Sequence, residues 1–134
     1  MANINDVPAN SNESNVREHG MKSLNKITRV LSDSFGAFIP TQVYGEIKKD
    51  IESGPYDQVY TRIDVFTKLY ISMTGIKKRL NTKSRNLITD KDQIAEASVK
   101  LWDVIKTAYY ESNLRPHLKD ITDALEMFLS TEEK

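Results

Sequence analysis

The sequence predicts an all-α fold: a compact bundle of about five helices, two of them long and central, preceded by a polar N-terminal tail. Three observations predict it. Apolar residues recur at three- and four-residue spacing from Val16 to Phe128, the period of a helix face. Breaker residues punctuate that pattern at Gly36, Pro40, Gly54-Pro55 and Pro116 and leave short connections, which favour antiparallel neighbours. The one stretch with strand-like alternation, Val59–Met73, is too long for an ordinary strand and has no turn chemistry beside it to supply a hairpin partner.

Residues 1–15 read as a tail that is flexible or ordered by a partner. Asn and Ser dominate, and there are too few large apolar side chains to offset the entropy of ordering. From Val16 the chain turns helical, with Met21, Leu24, Ile27, Leu31 and Phe35 on one stripe. Gly36 suits a C-terminal cap. Pro40 with Thr41 opens a second helix, whose buried face is Val43, Tyr44, Ile47 and Ile51. Gly45 costs that helix about 1 kcal/mol relative to alanine, so a close packing contact is expected there. Gly54-Pro55 ends it.

A long third helix is expected over residues 56–81. Val59, Ile63, Phe66, Tyr70, Met73, Ile76 and Leu80 lie at helical spacing, and Gly75 is a point of bending or fraying. Asn81–Leu87 is polar and basic and reads as a loop. Asp90 and Asp92 suit the positive end of the dipole of a fourth helix. Its face is Ile94, Ala97, Leu101, Val104, Ile105 and Ala108. Pro116 fits the first turn of the last helix, which carries Leu118, Ile121, Leu125 and Phe128 and frays over residues 130–134. The third and fourth helices are expected to form the central pair.

The chain of 134 residues has room for one domain, expected over residues 16–134. At 39% hydrophobic and 28% charged it is globular rather than disordered. It has no cysteine, which excludes disulfides, thiolate metal sites and cysteine nucleophiles. No apolar run approaches a membrane span, and the start lacks the apolar core of a signal peptide. The expected location is therefore cytoplasmic.

Charge is segregated. Between Asp64 and Asp90 there is no acid, while Lys68, Lys77, Lys78, Arg79, Lys83 and Arg85 give that stretch +6. The flanking parts compensate to a net charge of zero. That balance argues against bulk attraction to polyanions, so any nucleic-acid contact needs a local patch. Lys77, Lys78, Arg79, Lys83 and Arg85 are the candidates. Lysines supply point charges, and arginines can fork a phosphate. Asn81, Thr82 and Ser84 can add neutral hydrogen bonds. The plainer reading is a solvated helix end whose cations answer the dipole.

The last helix is acidic at Asp120, Asp123 and Glu126, followed by Glu132 and Glu133. Head-to-tail contact between that surface and the basic segment of another copy would form a ring or a filament. Trp102, Tyr109 and Tyr110 are further interface candidates, because amphipathic rings are enriched at interfaces. Tyr44 and Tyr70 lie on apolar stripes and are expected in the core.

Catalytic constellations are missing. His19 and His117 are far apart and have no cysteine to complete a zinc site. Asp57 with Asp64, and Asp120 with Asp123, share helix faces without a histidine at useful spacing. No glycine-rich phosphate loop or hydrolase motif occurs. A helix-turn-helix over Thr41–Ile71 would aim Asp57 at phosphates and leave its cations at the wrong end. The Asn-rich start ahead of a helical body resembles the layout of small viral and mobile-element proteins, though no motif carries the likeness.

The expected function is non-enzymatic: protein–protein interaction or self-assembly through the segregated basic (77–85) and acidic (120–133) surfaces, with a homo-oligomer or a protein as partner. The alternative is a nucleic-acid-binding module of coating or packaging type, contacting phosphates through the basic segment. No cofactor, metal, membrane or small-molecule substrate is expected.

Overall fold

The computed structural model describes residues 6–133, with side chains over residues 12–130. Within them, α1 (Asp6–Phe35) leads to α2 (Thr41–Ser53), α3 (Tyr56–Arg62), α4 (Asp64–Leu80), α5 (Lys91–Glu111) and α6 (Leu118–Glu126). The all-α bundle expected from the periodicity is what forms. Residues 59–73 are helical on both sides of Ile63.

The first helix starts earlier than its apolar stripe. It begins at Asp6, inside the segment expected as a tail, and residues 1–5 of that segment lie outside the described residues. Contacts that periodicity does not register support the added turns. Arg17 pairs with Glu13 one turn back at 3.2 Å and donates to the carbonyls of Ile51 and Gly54 at 3.0 and 2.8 Å. These bonds pin α1 to the end of α2 and satisfy two carbonyls at the break between α2 and α3.

The expected long third helix is two. Ile63 stays near helical geometry (φ −65°, ψ −23°), but its carbonyl accepts from Phe66 N–H, three residues on, at 3.1 Å. That tightened turn divides α3 from α4 without proline or glycine. Ile63 is buried where α1 crosses. A Cβ on Gly20 would meet Ile63 Cγ2 at 2.7 Å and Ile51 Cγ2 at 2.9 Å. Gly20 is therefore a glycine packed closely against side chains of two other helical segments. Gly45, expected in that role, has nothing within 4 Å of a built Cβ, and α4 runs through Gly75 to Leu80.

Helix pairing also differs from expectation. α4 packs most extensively on α1, and α5 on α6, rather than α4 on α5. One buried cluster joins them, including Leu24, Ile27 and Leu31 of α1, Phe66 and Leu69 of α4, and Leu101 and Ile105 of α5. Leaving only ordinary stops, Gly36 ends α1 at φ 72°, and Asp90 caps α5 by accepting from Gln93 N–H at 2.9 Å.

The loop expected over residues 81–87 and the fraying end of the chain form a two-stranded ribbon. β1 (Arg85–Leu87) runs antiparallel to β2 (Leu129–Glu133), with Leu87 opposite Leu129 and Arg85 opposite Glu133. Ile88 N–H continues the pairing to Phe128 O at 2.9 Å. Strands this short carry no readable alternation, and their partners are far apart in sequence.

Candidate functional site: the basic end of α4

The basic segment occupies the last turn of α4 and the 3₁₀ turn after it. Asn81 takes the left-handed conformation (φ 55°, ψ 46°), and its N–H reaches the carbonyls of Lys77 and Lys78. Asn tolerates that region better than most residues. Lys77, Lys78 and Arg79 thus ring the negative pole of the helix. Thr74, Lys77, Lys78, Asn81, Thr82 and Lys83 line a hollow of about 520 Å³.

Ion pairing divides the cations of the described residues; others such as Lys48, Lys49 and Lys100 also lack a carboxylate partner, but they are not clustered as those at the end of α4 are. Lys22, Lys68, Lys106, Lys119, Arg17 and Arg62 each have a carboxylate partner. Among the described residues, Lys77, Lys78, Arg79 and Lys83 have none. Four cations therefore fall within seven residues, Lys78, Arg79 and Lys83 exposed and Lys77 half-buried, and three of them share the hollow with Asn and Thr side chains.

Arg85 is not one of them. Its Nε donates to Ser130 O at 3.1 Å, and its Nη1 donates to Leu80 O and to Glu126 Oε2, both at 3.4 Å. It fastens β1 to the chain beyond α6 and satisfies a carbonyl at the end of α4. These bonds occupy Nε and Nη1 and set Arg85 apart from the four cations at the end of α4.

The acidic candidates divide in the same way. Glu126 is held by Arg85 within the chain. Asp123 pairs with Lys119 at 2.9 Å. Asp120 is exposed. The side chains of Glu132 and Glu133 lie outside the described residues, although the ribbon register sets Glu133 opposite Arg85. Acidic and basic segments expected to meet between copies therefore adjoin inside one molecule.

The aromatic candidates are rearranged. Trp102 is 1% exposed and Tyr109 fully buried, so neither is available at a surface. Tyr109 stacks on Phe66 with ring centroids 5.1 Å apart. Tyr110 lies at the surface edge-on to Tyr109, with the Arg62 guanidinium 5.1 Å from its centroid. Tyr70, expected in the core, is 40% exposed. Lys26 Nζ sits 4.2 Å from its centroid. Tyr44 is half-buried and donates to Asn25 Oδ1 at 3.0 Å.

A groove between α1 and the α3–α4 pair holds two further hollows. One, of about 800 Å³, is lined by residues including Asn12, Asn15, His19, Tyr60, Asp64 and Lys68. The other, of about 270 Å³, is lined by His19, Lys22, Lys26, Phe66, Thr67 and Tyr70 among others. His19 borders both. It lies 3.4 Å from Ser23 Oγ, while Asp64 is paired with Lys68 at 3.1 Å. His117 is tied to Glu111 at 2.7 Å. Among the described residues no His, Cys, Asp or Glu group is grouped to hold a metal ion.

Sequence reasoning did not reach this groove. Tyr60 and Tyr70 are visible as aromatics and Lys22 and Lys26 as an i, i+4 pair, but nothing local places α1 beside α4. No helix of the described residues is long and apolar enough to cross a membrane. No family model matches the chain, and neither curated proteins nor solved structures give a significant match.

Proposed function

We propose that this chain is a non-enzymatic nucleic-acid-binding protein that contacts phosphates through Lys77, Lys78, Arg79 and Lys83. One observation carries the proposal: these four cations cluster at the end of α4, and none has a carboxylate partner among the described residues. Cations already paired gain less from a phosphate, because the internal partner must first be released. Unpaired ones neutralise phosphates directly and release counterions. Thr74, Asn81 and Thr82 supply neutral hydrogen-bonding groups in the same hollow.

The test is anisotropy of a labelled oligonucleotide across a salt series. Affinity that falls steeply with salt, and is lost when Lys77, Lys78 and Arg79 become Glu, supports the proposal. Equal affinity of that variant and the parent chain overturns it.

A second reading is self-assembly. It is favoured by Ile71, a large apolar side chain 71% exposed on the solvent side of α4. It is weakened in its charge-driven form, because Arg85 and Glu126 meet within one chain. Light scattering with and without oligonucleotide separates the two: a large assembly in its absence, dispersed by Ile71→Asp, supports association through that face.

A further inference from the structure

We infer that the ligand is a single strand, and that it runs along the α1–α4 groove with unpaired bases against Tyr60 and Tyr70. This rests on the phosphate-binding function proposed above and goes beyond it to the class of nucleic acid and its path.

The first support is continuity. His19 borders both hollows of the groove, so they adjoin. Tyr70, at the far end of the second, is one helical turn before Thr74, which lines the basic hollow. From Tyr60 to Asn81 the track follows α3 and α4 for roughly 30 Å at 1.5 Å per residue, long enough for several nucleotides.

The second is the alternation of rings and cations. Tyr60 is 58% exposed and Tyr70 40%. Lys68, paired with Asp64, lies between them; Lys22, paired with Glu18, and Lys26, seated over the Tyr70 ring, border the Tyr70 hollow; the unpaired Lys77 and Lys83 follow. Stacking on exposed rings combined with a cationic path is how single strands are held without strong sequence preference. Asp64 is the acid in the first hollow, and Lys68 neutralises it locally. The potential therefore rises toward the end of α4. Asn12 and Asn15, both exposed, bring amide groups that can pair with base edges.

The third is shape. A duplex hides its base faces in its own stack and offers phosphates on a convex surface. Exposed rings in a trough between two helices gain nothing from it. A single strand can lay bases into the trough and phosphates on its rim.

The experiment compares one labelled single strand with its own duplex. The chains are the parent, Tyr60→Ala, Tyr70→Ala, Tyr70→Phe and the Lys77, Lys78 and Arg79 to Glu variant, with folding checked by circular dichroism. Each Tyr→Ala change is expected to weaken single-strand binding about tenfold, leave duplex binding unchanged, and be rescued at Tyr70 by Phe. If the Glu variant loses binding but both Tyr→Ala chains bind as the parent does, the groove path is overturned and the phosphate-binding function stands. If the Tyr→Ala changes weaken duplex and single strand alike, the single-strand preference is overturned. If the parent binds neither form, both proposals fall.

Discussion

Tyr109 donates its phenolic hydrogen to Asp50 Oδ2 at 2.7 Å and so ties the end of α5 to the end of α2. Arg62 of α3 holds the same carboxylate from the other side, with Nη1 2.9 and 3.1 Å from its two oxygens. One carboxylate therefore joins three helices. Both members of the Asp50–Arg62 pair are mostly buried, so neither is easily left alone.

Breaking this junction is expected to destabilise in graded steps. Tyr109→Phe keeps the ring and removes one bond to a charged acceptor, a loss of about 1–2 kcal/mol. Asp50→Ala also leaves the Arg62 guanidinium without its counter-charge, a loss of about 2–4 kcal/mol. Urea unfolding measures both. A larger loss for Tyr109→Phe than for Asp50→Ala would show that the carboxylate is not the centre of the junction.

The same phenol predicts an alkaline limit. Burial, and then the hydrogen bond to Asp50, hold the Tyr109 pKa far above its usual 10.0. The unfolded chain releases this proton as pH rises through 10, whereas the folded chain keeps it. The folded state then binds more protons, so stability falls as pH rises above about 10. Tyr110, raised mainly by burial and the Asp50 charge, adds in the same direction. Tyr109→Phe is expected to flatten the fall. An unchanged slope in unfolding experiments between pH 9 and 11 would exclude Tyr109 as its source.

Two glycines are expected to respond with opposite signs. Gly20→Ala would push a methyl into Ile63 and Ile51, an overpacking cost of about 1–3 kcal/mol that outweighs the gain in helix propensity. Gly45→Ala meets open space and gains about 0.5–1 kcal/mol. Thermal unfolding of the two variants reads the signs directly.

Arg85 and Lys83, two residues apart, are expected to separate stability from binding. Arg85→Ala removes three anchoring bonds and loosens the β1–β2 ribbon, with a loss of about 1–2 kcal/mol and faster hydrogen exchange at Ile88. Lys83→Ala changes stability by less than about 0.5 kcal/mol and weakens oligonucleotide binding. The reverse assignment would move the phosphate site toward the ribbon.

The salt dependence of binding counts the contacts. Each phosphate neutralised on a single strand contributes about −0.7 to the slope of log affinity against log salt. Changing Lys77, Lys78 and Arg79 to Ala is expected to shrink the slope by about 2. A slope identical to that of the parent would mean that these three cations do not touch the strand.

Most elements were legible because they depend on local chemistry. The stripe from Leu24 to Phe35 marks the buried face of α1 in any tertiary setting. Pro40, Gly54-Pro55 and Asp90 set boundaries through backbone sterics and capping that act within a few residues. The break at Ile63 was not legible, since no proline or glycine announces it and the packing of Ile63 against Gly20 of α1 is a long-range contact. Nor was the ribbon, because three residues at 85–87 carry no period.

The sequence by itself determined the helical class, most of the core and the presence of an acid-free basic run, because periodicity, capping and charge are properties of neighbouring residues. Only the tertiary structure decided which cations are free. Arg85 looks like Lys83 in sequence, yet it turns to Glu126 and the carbonyls of Leu80 and Ser130. Trp102 and Tyr109 look like surface aromatics until α5 is seen facing the core, and Tyr70 like a core aromatic until its side chain is seen beside Lys26. Each outcome depends on which helix packs where, and long-range packing leaves no local trace.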